Sequence, residues 1–129
     1  MIVADASAIA EALLRRPLAP AVERLLADEE MRVPEHFRVE VTSVLRRFNL
    51  RRELTDEGAA RALRVLGRLR APAYPTSLLQ DEIWALRHRL TAYDAAYLAL
   101  ARRLDTRLIT LDAGLAAVAS EDGRLADVS

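Results

Sequence analysis

At 129 residues the chain has the length of one domain and can bury roughly two thirds of the surface that its unfolded form exposes. A hydrophobic fraction of 52% and a charged fraction of 29% exclude disorder, and the absence of cysteine removes disulfide frameworks and thiolate-bound zinc. Nineteen acidic residues balance nineteen basic ones, so net charge gives no ground for sequence-independent binding to nucleic acid. Every basic residue is arginine, which excludes chemistry that needs a lysine amine: Walker-A phosphate cradling, Schiff bases and Ser-Lys nucleophile pairs.

No stretch approaches the roughly 18 apolar residues of a membrane span. The opening MIVADASAIAEALL lacks the basic start and long apolar run of a signal peptide. Cytoplasmic residence, away from any membrane, is expected.

Taken in chain order, Ile2 to Ala4 reads as a short apolar strand, and Ser7 as the cap of a helix that Pro17 stops near Arg16. Ala19 to Glu30 carries Val22, Leu25 and Leu26 at helical spacing, followed by a strand over Met31 to Val33. Pro34 then suits the opening of a helix from Glu35 to about Arg51, with Phe37, Val41, Val44, Leu45 and Phe48 on one stripe and Glu40 at its margin. Thr55 caps the next helix, whose Leu63, Leu66 and Leu69 are expected to face inward, and Ala71 to Pro75 is a brief strand.

Ser77 and Gln80 form a capping-box pattern before a helix holding Ile83, Trp84 and Leu86. Thr91 to Leu104 is apolar almost all round, as in a buried helix. Arg107 to Leu111 reads as a strand, Asp112 as the start of a short helix, and Leu125 to Val128 as a closing edge strand after the Asp122-Gly123 turn. Alternating short strands and longer helices, without repeat or linker, predict one α/β domain over residues 1–129: a three-layer α/β/α sandwich on a mostly parallel, roughly five-stranded sheet.

Four acids stand beside these strands or in helix starts: Asp5 in IVADAS, Glu40 in PEHFRVEVTSVL, Asp94 in TAYDAAYLALA and Asp112 in LITLDAGL. Singly, each has an ordinary role. Asp5 and Asp112 suit helix caps, Asp94 a capping box with Thr91, and Glu40 a pairing with Arg47 or His36. Jointly they point elsewhere, because loops after parallel strands open on one sheet edge. Two like charges about 4 Å apart repel by roughly 4 kcal/mol at an effective dielectric near 20, so such a cluster calls for a cation. Oxygen donors without thiolate or clustered imidazole favour Mg²⁺ or Mn²⁺, ions that lower the pKa of bound water and neutralise charge on a phosphoryl group.

The segments VADASAIAEALL, VPEHFRVEVTSVLRR, LTAYDAAYLALARRL and LITLDAGLAAVA, in this order, resemble those of PIN-domain ribonucleases, specifically VapBC-type toxins, over essentially the full chain. The resemblance implies a Mg²⁺- or Mn²⁺-dependent endoribonuclease with Asp5, Glu40, Asp94 and Asp112 as its acidic catalytic and metal-binding residues. It also implies Ser7 and Thr110 as supporting hydroxyls, a homodimer, and silencing by an antitoxin encoded nearby.

Other readings weigh less. A phospho-receiver domain needs a lysine, and a haloacid-dehalogenase-like phosphatase needs a second carboxylate where this chain has Asp5-Ala6-Ser7. A non-catalytic PIN-like binding module would have no use for all four acids. Arg46, Arg47, Arg51 and Arg52 read as a solvated helix end that suits the dipole; RNA phosphate or an acidic partner is the second reading. Trp84, Tyr93 and Tyr97 read as core packing, and His36 and His88 have no paired nucleophile.

Overall fold

A computed structural model describes residues 1–129. Its core is a four-stranded, all-parallel sheet of β1 (Ile2–Ala4), β2 (Met31–Pro34), β3 (Ala73–Tyr74) and β4 (Leu108–Ile109), in the order β3-β2-β1-β4. The strands are short and apolar, and β1 and β4 are wholly buried, as expected of a parallel sheet covered on both faces. From β1 the chain winds outward through β2 to β3 and then returns to lay β4 on the other side of β1. The winding direction therefore reverses between β1 and β4, and the crevice at that switch point is where open α/β sheets bind ligands.

Helices α1 (Ala6–Leu13), α2 (Ala19–Leu26), α3 (Phe37–Leu50) and α4 (Asp56–Arg68) pack on one another. Across the sheet from them, α6 (Ala92–Arg103) lies against β1, β2 and β4 and is flanked by α5 (Gln80–Ala85) and α7 (Ala113–Glu121). Burial explains the unbroken apolar character of α6: every residue from Ala95 to Ala101 is inaccessible, with Tyr97 the largest.

Several expectations need correction. The fifth strand does not form: the tail makes a single parallel bridge, Leu108 with Leu125. Ser7 does not cap α1. That role falls to Asp5, whose extended backbone leaves its carboxylate to accept from the Ala8 N–H. Pro34 ends β2 rather than opening a helix, and α3 starts three residues later at Phe37. Ser77 caps nothing. It lies inside a 3₁₀ turn, Thr76–Leu78, which is held by Thr76 donating from N and Oγ1 to Glu35 Oε1, and α5 starts without a side-chain cap. Leu66 is buried and Leu69 packs against the core as expected, but Leu63 faces outward and its place is taken by Ala62, one turn before Leu66.

Candidate active site

Asp5 leaves the carboxyl end of β1 and is 2% exposed, which makes it one of only two buried polar side chains. The other is Thr110, which follows β4 directly. Thr110 Oγ1 donates to Asp5 Oδ2 at 2.5 Å and accepts from the Asp112 N–H at 3.0 Å. Ser7 Oγ repeats the pattern, donating to Asp5 Oδ1 at 2.7 Å and accepting from the Leu111 N–H at 3.0 Å. Two hydroxyls thus tie the Asp5 carboxylate to the loop after β4 and bridge the switch point. Both are the hydroxyls expected to support the acids, and each bonds to Asp5. Asp112 caps α7 by accepting from the Leu115 N–H through Oδ2 at 2.8 Å; its Oδ1 accepts no hydrogen bond.

Glu40 reaches the same edge from the first turn of α3. Its Oε1 accepts from the Tyr97 hydroxyl at 3.0 Å, a bond that links α3 to α6. Its Oε2 accepts nothing and lies 3.7 Å from His36 Nε2, a buried atom without a hydrogen-bond partner. The His36 ring packs edge-on to Tyr93 and Tyr97, with centroids 5.6 and 5.0 Å away. Asp94 stands one turn before Tyr97 on α6. Thr91 Oγ1 accepts from the Asp94 N–H at 3.2 Å, so the helix cap belongs to Thr91, whose hydroxyl also lies beside the Asp94 carboxylate.

These acids act on one another. Burial pushes the Asp5 pKa up against the pull of Thr110, Ser7 and Ala8, and the charge of Asp94 adds to the rise. Burial raises Glu40 as well, opposed by the Tyr97 hydrogen bond and increased by the charges of Asp94 and Asp5. Asp94 is raised by burial and then by Asp112. Burial lowers the His36 pKa, keeping its imidazole neutral near pH 7. All donors here are hard oxygens, which suit a small divalent cation. No three His, Asp or Glu side chains close a cage by themselves. Mg²⁺ characteristically binds through one or two carboxylates and completes its shell with water and phosphate, and the open arrangement fits that habit.

Tyr97 is the residue that sequence reading undervalued. It is core packing, as expected, but it also carries the hydroxyl that fixes Glu40; the signal was a phenol one turn after Asp94, inside the Ala- and Leu-rich stretch of residues 95–101. Trp84 and Tyr93 are not core at all, at 68% and 65% exposed. Arg87 stacks over the Trp84 ring, and the two residues help line a cleft of about 610 Å³ that runs to Thr91 and Ala92 at the start of α6.

A carboxylate cluster at the switch point of a parallel sheet defines an acidic-site α/β protein, and comparison with known proteins narrows the class. Residues 2–121 match the model of the PIN domain. The chain is 42% identical over 112 residues to VapC ribonuclease Mb0985 of Mycobacterium bovis, covering 87% of this chain and 86% of that one. It is 41% identical to ribonuclease VapC1 of Mycobacterium tuberculosis over 117 residues, with 89% and 88% covered. Among solved structures, PAE2754 from Pyrobaculum aerophilum superposes with a TM-score of 0.65 at 26% identity, covering 90% of this chain and 77% of that one. Mycobacterium tuberculosis VapC20, a sarcin-ricin loop cleaving toxin, superposes at 0.68 and 18% identity, with 92% and 95% covered, and shares the fold. The chain belongs to the PIN-domain family, among its VapC ribonucleases.

Proposed function

We propose that the protein is an endoribonuclease, the toxin of a toxin-antitoxin pair, and that Asp5, Glu40, Asp94 and Asp112 hold a Mg²⁺ or Mn²⁺ ion at which RNA phosphodiester bonds are hydrolysed. One observation carries the site assignment: Asp5, Glu40 and Asp94 come from the end of β1, from α3 and from α6, and the pKa of each is raised first by burial and then by the charge of a neighbouring acid, an arrangement that costs stability unless a cation occupies it. The names of the relatives support the ribonuclease activity. A bound ion supplies a water of lowered pKa and neutralises charge on the phosphoryl group.

Each protein group then has a distinct task. Asp5, immobilised by Ser7, Thr110 and the Ala8 N–H, is the fixed point of the site. Glu40 Oε2 accepts no hydrogen bond, and the Asp94 carboxylate has only the Thr91 hydroxyl beside it. A carboxylate with a raised pKa is the better proton acceptor, so Glu40 and Asp94 are suited to take the proton of the attacking water. The partners are RNA, an antitoxin encoded nearby, whose arginine or lysine neutralises the acids, and a second copy of the chain, all in the cytoplasm.

Expressed alone, the parent should cut RNA only with Mg²⁺ or Mn²⁺ present. Asp94→Asn and Asp5→Asn should remove cleavage with the circular dichroism spectrum unchanged. Undiminished cutting by both variants moves the site elsewhere, and a folded parent that neither binds Mn²⁺ nor cuts RNA leaves a non-catalytic binding module.

A further inference from the structure

We infer that Tyr97 is a positioning residue of the active site: its hydroxyl selects which oxygen of Glu40 is presented to the cation, and so ties the ligand on α3 to the helix that carries Asp94. The inference rests on the reading of Glu40 as a metal ligand.

The geometry separates the two oxygens of Glu40. Oε1 accepts the Tyr97 hydroxyl at 3.0 Å, whereas Oε2 accepts no hydrogen bond and faces His36 Nε2 at 3.7 Å, outside bonding distance. A glutamate side chain on a helix has three rotatable bonds, and nothing in α3 itself restrains this one. The restraint comes from α6. Tyr97 is fully buried, its ring held by the sheet and by the edge-on His36 ring at 5.0 Å, so its hydroxyl is a fixed donor. It lies one helical turn beyond Asp94, and a rigid helix therefore sets the separation between the Glu40 carboxylate and Asp94. Hydrogen bonds behind metal-binding groups fix their orientation and change metal affinity by about 10- to 100-fold when removed.

Tyr97→Phe keeps the buried ring and deletes only the hydroxyl. Mn²⁺ binding is followed directly, from the loss of the electron paramagnetic resonance signal of the free ion, in the parent, Tyr97→Phe, Glu40→Gln and the double variant. The expected result is a Kd for Mn²⁺ raised about tenfold in Tyr97→Phe. In the Glu40→Gln background the same substitution should change Kd less than twofold, because the carboxylate it positions is already gone. Circular dichroism spectra of all four proteins should coincide.

Equal Mn²⁺ affinity in the parent and Tyr97→Phe overturns the inference. So does a tenfold weakening of the same size in both backgrounds, which would mean that the phenol acts without Glu40. Glu40→Gln binding Mn²⁺ like the parent, while Asp94→Asn does not, is a different failure: it removes Glu40 from the site and refutes the reading on which the inference rests.

Discussion

The buried Asp5 carboxylate accepts three hydrogen bonds, and the cost of losing one is calculable. Thr110→Val preserves shape but leaves Asp5 Oδ2 and the Asp112 N–H without a partner in a buried place. An orphaned buried group costs about 1–3 kcal/mol. For a chain of this length that is a fall in Tm of roughly 4–11 °C; an unchanged melting curve would show that the network is not formed. A second test uses proton linkage. The pKa of Glu40 is higher in the folded protein than in the unfolded chain, so the folded state holds its proton more tightly. The associated stability is full below the unfolded pKa, near 4, and is lost as pH rises through the raised value. Metal-free Glu40→Gln should therefore melt above the parent at pH 7, by about 3–5 °C for each kcal/mol relieved, and the gap should close towards pH 4. A gap that ignores pH would refute the cause. The acids were legible in the sequence because each sits next to a short apolar run. The division of labour between Asp5 and Ser7 was not, since two capping residues stand two positions apart and only the end of β1 decides between them.

Most helix ends in this chain close without the glycine that usually marks them. Four helices finish on the same closing bond, in which an N–H two positions past the cap reaches back five residues: Arg16 to Glu11, Glu53 to Phe48, Thr106 to Ala101 and Arg124 to Ala119. Each needs a residue of positive φ, and these are Arg15 at 54°, Arg52 at 60°, Asp105 at 50° and Gly123 at 69°. Only the last is a glycine, so only α7 carries the sequence signal by which such an end is recognised. Left-handed backbone costs a residue with a side chain about 1–2 kcal/mol. Arg52 is exposed and makes no ion pair. Arg52→Gly should thus stabilise the protein, by less than the full strain because glycine gains freedom in the unfolded chain. Calorimetry should give a rise in Tm of a few degrees, and a fall would mean that the backbone there is not strained. The converse change, Gly123→Ala, imposes the strain and should lower Tm. The starts misread at Ser7, Pro34 and Ser77 left the α/β alternation intact, because the apolar period differs between strand and helix whatever begins them.

At the scale of the whole molecule, surface chemistry and the acidic site each yield a test. The resemblance implies a homodimer, for which the apolar helices around Phe48 and Leu66 are one candidate face; Leu66 is buried and Phe48 is half-covered, with the Arg16 and Arg51 guanidinium groups stacked on its ring. Large apolar side chains are nevertheless exposed on those helices at Leu50, Leu63 and Val65, and a second exposed apolar surface lies at Trp84 and Tyr93. If that surface is what pairs the copies, sedimentation at micromolar concentration should give a species of twice 14.4 kDa, and Trp84→Arg should halve it. A parent that sediments as a monomer removes the dimer.

The site predicts a second global property. A cation that binds the folded state alone stabilises it by mass action, by about 2.7 kcal/mol at a concentration one hundred times its Kd. If Asp5, Glu40, Asp94 and Asp112 share the ion, the relief of their repulsion is part of what sets that Kd, since no arginine ion pair neutralises them. Adding Mn²⁺ at that excess should raise the Tm of the parent by roughly 10 °C. In Glu40→Gln the metal-free protein starts higher because one charge is gone, and it should respond much less to the same concentration of ion. The two substitution effects therefore have opposite signs, stabilising without metal and destabilising with it. A general loss of packing lowers both curves, and an unrelated surface change moves neither, so only acids that share one cation make the curves cross. Parallel melting curves for the two proteins, with and without Mn²⁺, would show that the four carboxylates do not act as one site.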